Sequence, residues 1–514
     1  MFLVWLVFAA GGAGGAEPAR EARESSTPQQ EQPVAHQKVW EVGSRKQLFI
    51  DQRFIAESEG ITLRTNPAQK LGQLLDGEGK PLMGHVSRVI EDGVIKDGVM
   101  EAGGKIRLYV GHGGVEIYES DDGLRFRSTG RSIGGGIFST IFVDRHDPDP
   151  ARRYKLFLLK SQATFDRAVD GVYAYTSADG LEFVEVGRVL PWYTDNPTIV
   201  LWDERIGKYV IYLRALEYDS PNQRRIARIE VDDPLQPWPF RPSDEQSPRG
   251  GAGMFLSTAH VDVVLEADAG DDPDSDIYYN AATIYGEAED VYLMFTTQFR
   301  HFRPDRHPFV RGPRPEQWED FGPLEVQLAV SRDGVHWLRP SREPYFPMGL
   351  PDEWDRWYAV MGPGVVRRGN YLYQYYNSSG RLHDGAIWRG EYAESAKQLG
   401  GIGVVRQRLD GFVSADVDYR GGWLVTPPLV FAGSRLRLNF DAGAMGTVRV
   451  ELRDEAGQGI PGFTLAECEE LGGNVVEQVV RWQGREDVSG LAGKRVRMYV
   501  EMKRTKLYAF EFGE

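Results

Sequence analysis

KIRLYVGHGGVEIYESDDGLRF, residues 105–126, holds the unit from which most of the chain is built. A strand alternating aliphatic and aromatic residues, KIRLYVG (105–111), is followed by a second alternating strand, EIYES (116–120), and then by Ser-Asp-Asp-Gly-Leu-Arg-Phe (120–126). A period of two with β-branched and aromatic enrichment marks strands. The Asp-Gly pair suits a tight turn, because glycine accepts positive φ and aspartate bonds to backbone two residues on. The closing aromatic then packs beneath the sheet.

Both halves of this unit recur. The first strand returns as RYKLFLLK (153–160), KYVIYLR (208–214), DVYLMFTT (290–297) and NYLYQYY (370–376). Each copy is preceded by another short apolar strand: STIFVD (139–144), PTIVLWDE (197–204), AATIYGE (281–287) and PGVVRRG (363–369). The turn returns as Ser-Ala-Asp-Gly-Leu-Glu-Phe (177–183) and Ser-Arg-Asp-Gly-Val-His-Trp (331–337), each after an alternating strand. RIEVDDPLQPWPF is a degenerate copy in the third unit, and Leu409-Asp410-Gly411-Phe412 closes the fifth.

Long helical periodicity is nearly absent. Lone sheets of this kind would leave edges and an apolar face exposed, and radial repetition removes both. The sequence therefore predicts an all-β chain, a five-bladed β-propeller over residues 38–412. Beyond 413 the spacing changes to that of a β-sandwich of about 100 residues. Its strand-like runs include SRLRLNFDA, TVRVELRDE and KRVRMYVEM. Long loops around 244–275 and 300–322 read as binding or gating segments.

The start of the chain differs from the rest. MFLVWLVFAAGGAGGA (1–16) is an apolar run ending in small residues, which reads as a signal peptide. It is shorter than the ~20 residues that span a bilayer, so the mature chain has no expected transmembrane segment. Residues 17–37, rich in Pro, Glu, Gln and Ser, read as a disordered tether. Export to the periplasm or beyond is the expected location.

Composition bounds the partners. Hydrophobic residues make up 41% of the 514, enough for large cores and too many for general disorder. A formal net charge of −15 repels phosphate backbones and argues against nucleic acid. The lone Cys468 excludes an intramolecular disulfide and cysteine-cluster metal sites. No His-Glu-x-x-His, P-loop or Gly-x-Ser-x-Gly motif occurs, and GDDPDSD (270–276) lacks the ligand spacing of a calcium loop. No cofactor and no metal are expected.

With these features in place, the chain resembles glycoside hydrolases of families 32 and 43 and their relatives, and a group of secreted bacterial proteins sharing their architecture. The resemblance rests on the Ser-x-Asp-Gly turns and the five hairpin units. It also rests on LFIDQRFIAESEGITLR (48–64), DNPTIVLWDERIGKYVIYLR (195–214), RLDGFVSADV (408–417) and the sandwich runs LRLNFDA, VRVELRDEAGQGIPGF and DVSGLAGKRVRMYVEM. It implies carboxylates at the starts of the innermost strands, converging on a central funnel, and a glycan as substrate. Asp195, opening DNPTIVLW, and Asp276, opening DIYYNAATIY, match by position. The sequence departs from the families in lacking an Asn-Asp-Pro-Asn-Gly motif near the first unit and a Glu-Cys acid motif.

Glycosidic cleavage uses one carboxyl to protonate the leaving oxygen and another to attack or to activate water. Asp195, Asp276 and Glu217 are the catalytic candidates, with Glu57 a further choice for the acid. Asp195 also suits an Asx-type cap before Pro197, and Asp271, Asp272 and Asp274 read as a solvated acidic loop. Asn196, His85, Arg88, Trp192, Tyr278 and His383 are candidates for sugar contacts, through hydrogen bonds or ring stacking. Tyr193, Tyr279, His301, Arg214 and Arg300 lie beside them in sequence or pattern. Each has a structural alternative as a core residue or ion-pair partner. The expected function is an exported glycoside hydrolase acting on an oligosaccharide or polysaccharide. A non-catalytic carbohydrate-binding propeller and a cell-surface scaffold that recognises protein are the alternatives.

Overall fold

In a computed structural model the described residues are 38–514, apart from 93–94, 97–98, 101–104, 112–113, 137, 162–167, 219–222, 244–254, 303–309, 312–321, 351, 384–386 and 389–399. The expected signal peptide and tether lie outside them. The fold is all-β, and helix among the described residues is confined to short turns such as Gln52–Phe54.

The five hairpin units form five blades. Blade 1 comprises His85–Asp92, Lys105–Gly111, Gly114–Ser120 and Arg127–Gly134. Blade 2 comprises Phe138–Val143, Tyr154–Lys160, Gly171–Ser177 and Val184–Leu190. Blade 3 comprises Ile199–Asp203, Lys208–Leu216, Arg224–Val231 and Asp262–Leu265. All three are antiparallel in chain order from the axis outward.

Blade 4 has an inner strand broken into Ser275–Tyr279 and Ala282–Ile284, then Tyr292–Arg300, Leu324–Ser331 and the short Trp337–Leu338. Blade 5 likewise starts with Tyr358–Met361 and Val366–Arg368, then Tyr371–Ser379 and Gly400–Arg408. Its outermost strand is Gln69–Gln73, which precedes blade 1 in the chain. The ring is thus closed by hydrogen bonds between its two ends.

Strand alternation explains why the second strands carry no polar face. In Lys105–Gly111, Ile106, Leu108 and Val110 pack toward blade 5, while Tyr109 packs toward blade 2. Each second strand sits between two neighbouring sheets and is apolar on both sides, unlike a strand with one solvated face.

The Ser-x-Asp-Gly turns are built alike. Ser120 Oγ accepts from Gly123 N (2.9 Å), and Asp122 Oδ1 accepts from Leu124 N (2.8 Å) and Arg125 N (2.9 Å). Ser177/Asp179 and Ser331/Asp333 repeat the pattern. Each turn glycine also offers its carbonyl to a tyrosine of the preceding blade: Tyr375 to Gly123 (2.7 Å), Tyr109 to Gly180 (3.0 Å) and Tyr212 to Gly334 (2.7 Å). Gly123 has φ +76°, and a Cβ there would meet Tyr375 Oη at 2.8 Å, so no other residue fits.

The sandwich differs from expectation in its boundary. Its strands come from both ends of the chain, so residues 40–65 belong to it rather than to the propeller. One sheet runs Thr62–Thr65, Val413–Val417, Thr505–Gly513, Arg435–Asp441, Asn474–Val479; the other runs Glu57–Glu59, Gly422–Val425, Arg497–Lys503, Thr447–Arg453. The physical reason is burial: Phe49 and Phe54 are core residues of the sandwich, packed against Phe510. The same N-terminal segment ties the sandwich to blades 4 and 5. Arg332 bonds Asp51 (3.0 Å) and Leu48 O (2.7 Å), and Lys46 pairs with the buried Asp410 of the fifth turn (3.0 Å).

Candidate functional site

Inner strands run from one end of the ring to the hairpins at the other, and the Asp-Gly turns lie at that hairpin end. The heads of the inner strands, and the C-terminal ends of the second strands, therefore share the opposite end. Asp195, Asn196, Tyr278, His85, His383 and Glu217 all fall at or beside this mouth.

Asp195 lies four residues before the strand Ile199–Asp203 and has φ +52°, the left-handed region that aspartate tolerates better than most residues. Its carboxylate is not an Asx cap. Oδ2 accepts from Arg214 Nη1 at 2.6 Å, and Oδ1 accepts from Tyr193 Oη at 3.3 Å. Arg214, from the second strand of the same blade, has a side chain only 1% exposed, whereas that of Asp195 is 34% exposed. The guanidinium is held from below by the Tyr278 carbonyl, through Nε at 3.2 Å, and lies 4.3 Å over the Tyr278 ring. Asn196 Nδ2 donates to the same carbonyl at 2.6 Å. Asn196 is buried, so it joins blades 3 and 4 and does not face solvent.

Around this anchor lies a group of ring and amide side chains. Tyr278 Oη and His383 Nε2 are hydrogen-bonded at 2.9 Å, and the His383 ring lies parallel to that of Tyr358 at 6.4 Å. Burial raises the phenol pKa of Tyr193, Tyr278 and Tyr358, so all three keep their protons at neutral pH. On the blade 1 side the exposed His85 accepts from Asn377 Nδ2 at 2.9 Å. Arg88 pairs with Tyr109 in the inner strand of blade 1; its side chain lies outside the described residues.

Glu217 immediately follows the second strand of blade 3, half-buried, and accepts from Thr258 Oγ1 at 2.6 Å. It sits at the mouth end of the blade that carries Asp195.

Asp276 takes a different place from the one expected. Its side chain is fully buried, with Arg224 Nη1 at 3.2 Å and His301 Nε2 at 3.3 Å from Oδ2. Burial alone would raise its pKa, yet the Arg224 charge and His301 hold it well below the usual carboxylate range. A carboxylate so enclosed contacts protein, not substrate. The cause is register: Asp276 sits inside the ladder opposite Phe299, where the side chain is turned into the sheet stack.

Trp192 is likewise a core residue, 2% exposed, packed on His260 (ring centroids 4.1 Å apart) and Phe240. Glu57 lies on an exposed strand of the sandwich, paired with Val425, and is no part of the mouth. The acidic loop is ion-paired, not simply solvated: Asp271 and Asp268 clamp Arg339, and Asp272 pairs with Arg300 (3.1 Å). Among the described residues no group of three or more His, Cys, Asp or Glu side chains could hold a metal, and no helix is long and apolar enough to cross a membrane.

Asn377, Tyr358 and Arg224 are the residues that sequence reasoning missed. Asn377 and Tyr358 mark the exit of a second strand and the head of an inner strand, positions readable from the repeat. Arg224 gives no such signal.

No known family description matches the sequence, and no curated protein matches it. Solved structures resemble it to a limited degree. A glycoside hydrolase is 14% identical, covering 66% of this protein and 92% of its own length, with a TM-score of 0.40. An N-acetylgalactosamine deacetylase from F. plautii, in complex with blood group B trisaccharide, is 9% identical over 69% and 97%, with a TM-score of 0.40. An exo-β-1,3-galactanase from Phanerochaete chrysosporium, with galactose, is 10% identical over 87% and 99%, with a TM-score of 0.36. Fold does not fix chemistry, and the functional reading has to come from the site.

Proposed function

We propose that the protein is an exported glycoside hydrolase that holds a glycan at the mouth of the propeller. The observation that carries this reading is Asp195: a partly exposed carboxylate in a left-handed backbone, fixed by a buried arginine and a tyrosine hydroxyl. An anchored guanidinium fixes the direction of the carboxylate while leaving part of it open to a ligand.

In this reading Asp195 attacks the anomeric carbon or removes a proton from the attacking water. Glu217 gives a proton to the leaving oxygen as the glycosidic C–O bond breaks, and water supplies the hydroxyl of the new reducing end. Protonated tyrosines, His383, His85 and Asn377 supply donors and acceptors for sugar hydroxyls. The apolar run at residues 1–16 supports export.

Purified protein screened against a panel of oligosaccharides and polysaccharides, beside Asp195→Asn and Glu217→Gln, tests the proposal. Loss of hydrolysis in both variants with the fold intact supports it; unchanged hydrolysis in both overturns the assignment. The complete burial of Asp276 favours a second reading, a propeller that binds glycan without cutting it. Binding in the wild type with no hydrolysis of any panel member selects that reading.

A further inference from the structure

We infer that a cavity at the mouth end of blade 4 is a subsite for a neutral sugar ring. It has a volume of about 570 Å³, within the range of small-molecule sites. It is lined from the first three strands of blade 4, by Ser275, by Gln298 and Arg300, and by Glu325 and Gln327.

Two buried amides line it. Gln298, 6% exposed, has no hydrogen-bond partner for either Oε1 or Nε2, and the Oε1 of Gln327 also has none. Buried amides are nearly always satisfied, and leaving one unmade costs stability. A pair of vicinal hydroxyls, each able to donate and accept, matches an amide that needs one acceptor and one donor.

The lining guanidinium groups are engaged within the protein, Arg356 with the Gly380 carbonyl at 3.2 Å. Arg300 pairs with Asp272 at 3.1 Å, and Arg342 lies 3.6 Å from Asp271. Glu325 also lines the cavity, and burial pushes its carboxyl toward the neutral form. Leu324, Met348 and the half-buried Trp357 add apolar surface for the C–H face of a ring. A neutral polyol fits this set better than an acidic sugar does.

The cavity adjoins the mouth in two blades. Ser275 precedes Asp276, and Trp357 precedes Tyr358 at the head of the inner strand of blade 5. A glycan held at the mouth therefore has a second ring position there. The subsite rests on the glycan reading above for its biological meaning, but its test does not depend on hydrolysis.

Saturation-transfer NMR and calorimetry on the full chain, with the methyl glycosides of glucose, galactose and mannose and with methyl glucuronide, read the cavity directly. At least one neutral glycoside is expected to bind. Gln298→Leu, which replaces an unpartnered amide by an apolar group of similar size, should weaken it about tenfold. Met348→Trp, which fills the cavity from the other wall, should weaken it at least as much, and Asp195→Asn should leave it intact. The subsite is overturned if none of the neutral glycosides binds, if both cavity variants bind as the wild type does, or if methyl glucuronide alone binds. Loss of hydrolysis in Asp195→Asn together with unchanged binding in the cavity variants sinks the subsite and keeps the hydrolase. Weakened binding in the cavity variants, with hydrolysis unaffected by Asp195→Asn, does the reverse.

Discussion

The heads of blades 3 and 4 both carry an aspartate near the inner strand and an arginine from a neighbouring strand, yet the Asp195 side chain keeps 34% of its surface in solvent and Asp276 keeps none. At the head of blade 4 both charges are taken out of water, Asp276 and the Arg224 that reaches it from the third strand of blade 3, so the pair is a structural element. In blade 3 only the cation is buried. Arg214 is fixed by the Tyr278 carbonyl and ring, and Asp195 stands outward on it. Sequence position is the same to within a few residues; what differs is whether the acid lies inside the hydrogen-bonded ladder or ahead of it.

The sharpest way to break this comparison is to exchange the carboxylates for amides and measure turnover on the glycan found by screening. Asp195→Asn is expected to lower kcat by about 10³-fold, the range for a lost general base or nucleophile, with little change in melting temperature. Asp276→Asn should leave kcat per folded molecule within a few-fold of wild type. The reverse ranking would show that burial has misassigned the two.

Stability should rank them the other way. Removing one member of a buried ion pair costs about 3–5 kcal/mol, because the partner stays behind uncompensated. Asp276→Ala removes the carboxylate that both Arg224 and His301 face, and urea unfolding should show a loss of that order. Asp195→Ala should cost less, about 1.5–3 kcal/mol, since the partly exposed site admits water and Arg214 retains the Tyr278 carbonyl.

Acid sharpens the same contrast. The Arg224 charge and His301 lower the pKa of Asp276 in the folded state. Its contribution is therefore complete above the ordinary aspartate value of about 3.9 and is lost as pH falls through the lowered folded value. Between those limits stability should fall by about 1.4 kcal/mol per pH unit from this group alone. Denaturant titrations at stepped pH should show this slope in the wild type and its absence in Asp276→Asn.

How much of this was legible in the sequence follows from the same physics. The blades were, because each hairpin repeats and repetition exposes what one copy hides. Asp195 was placed at the mouth by its position before the inner strand, and His85, Tyr278 and His383 by analogous positions. The burial of Asp276 was not, because it depends on Arg224 and His301 arriving from other strands. Nor was the membership of residues 40–65 in the sandwich, since it depends on contacts with the far end of the chain, the packing of Phe49 and Phe54 against Phe510.

The smallest predicted effects lie at the other end of the ring, where the five blade junctions divide into three with a tyrosine latch and two without. Tyr109, Tyr212 and Tyr375 each donate to the glycine of the next blade's Asp-Gly turn. Between blades 2 and 3 the turn is degenerate, and the corresponding strand residue is Phe157, packed on Trp238 at 5.6 Å. The junction is held instead by the buried Lys155, paired with Asp144 at 2.8 Å, with Tyr209 Oη donating to the same carboxylate at 2.6 Å. Between blades 4 and 5 the corresponding residue is also a phenylalanine, Phe295, packed on Phe412 of the fifth turn with ring centroids 6.2 Å apart, although the Asp410-Gly411 pair is kept. Tyr109→Phe and Tyr375→Phe should each cost about 1 kcal/mol, read as a shift in the urea midpoint with an unchanged slope. Phe157→Tyr should also destabilise, because its new hydroxyl, in a residue 1% exposed, meets no turn carbonyl. Stabilisation by Phe157→Tyr would mean that the latch needs only the tyrosine and not the turn glycine's carbonyl.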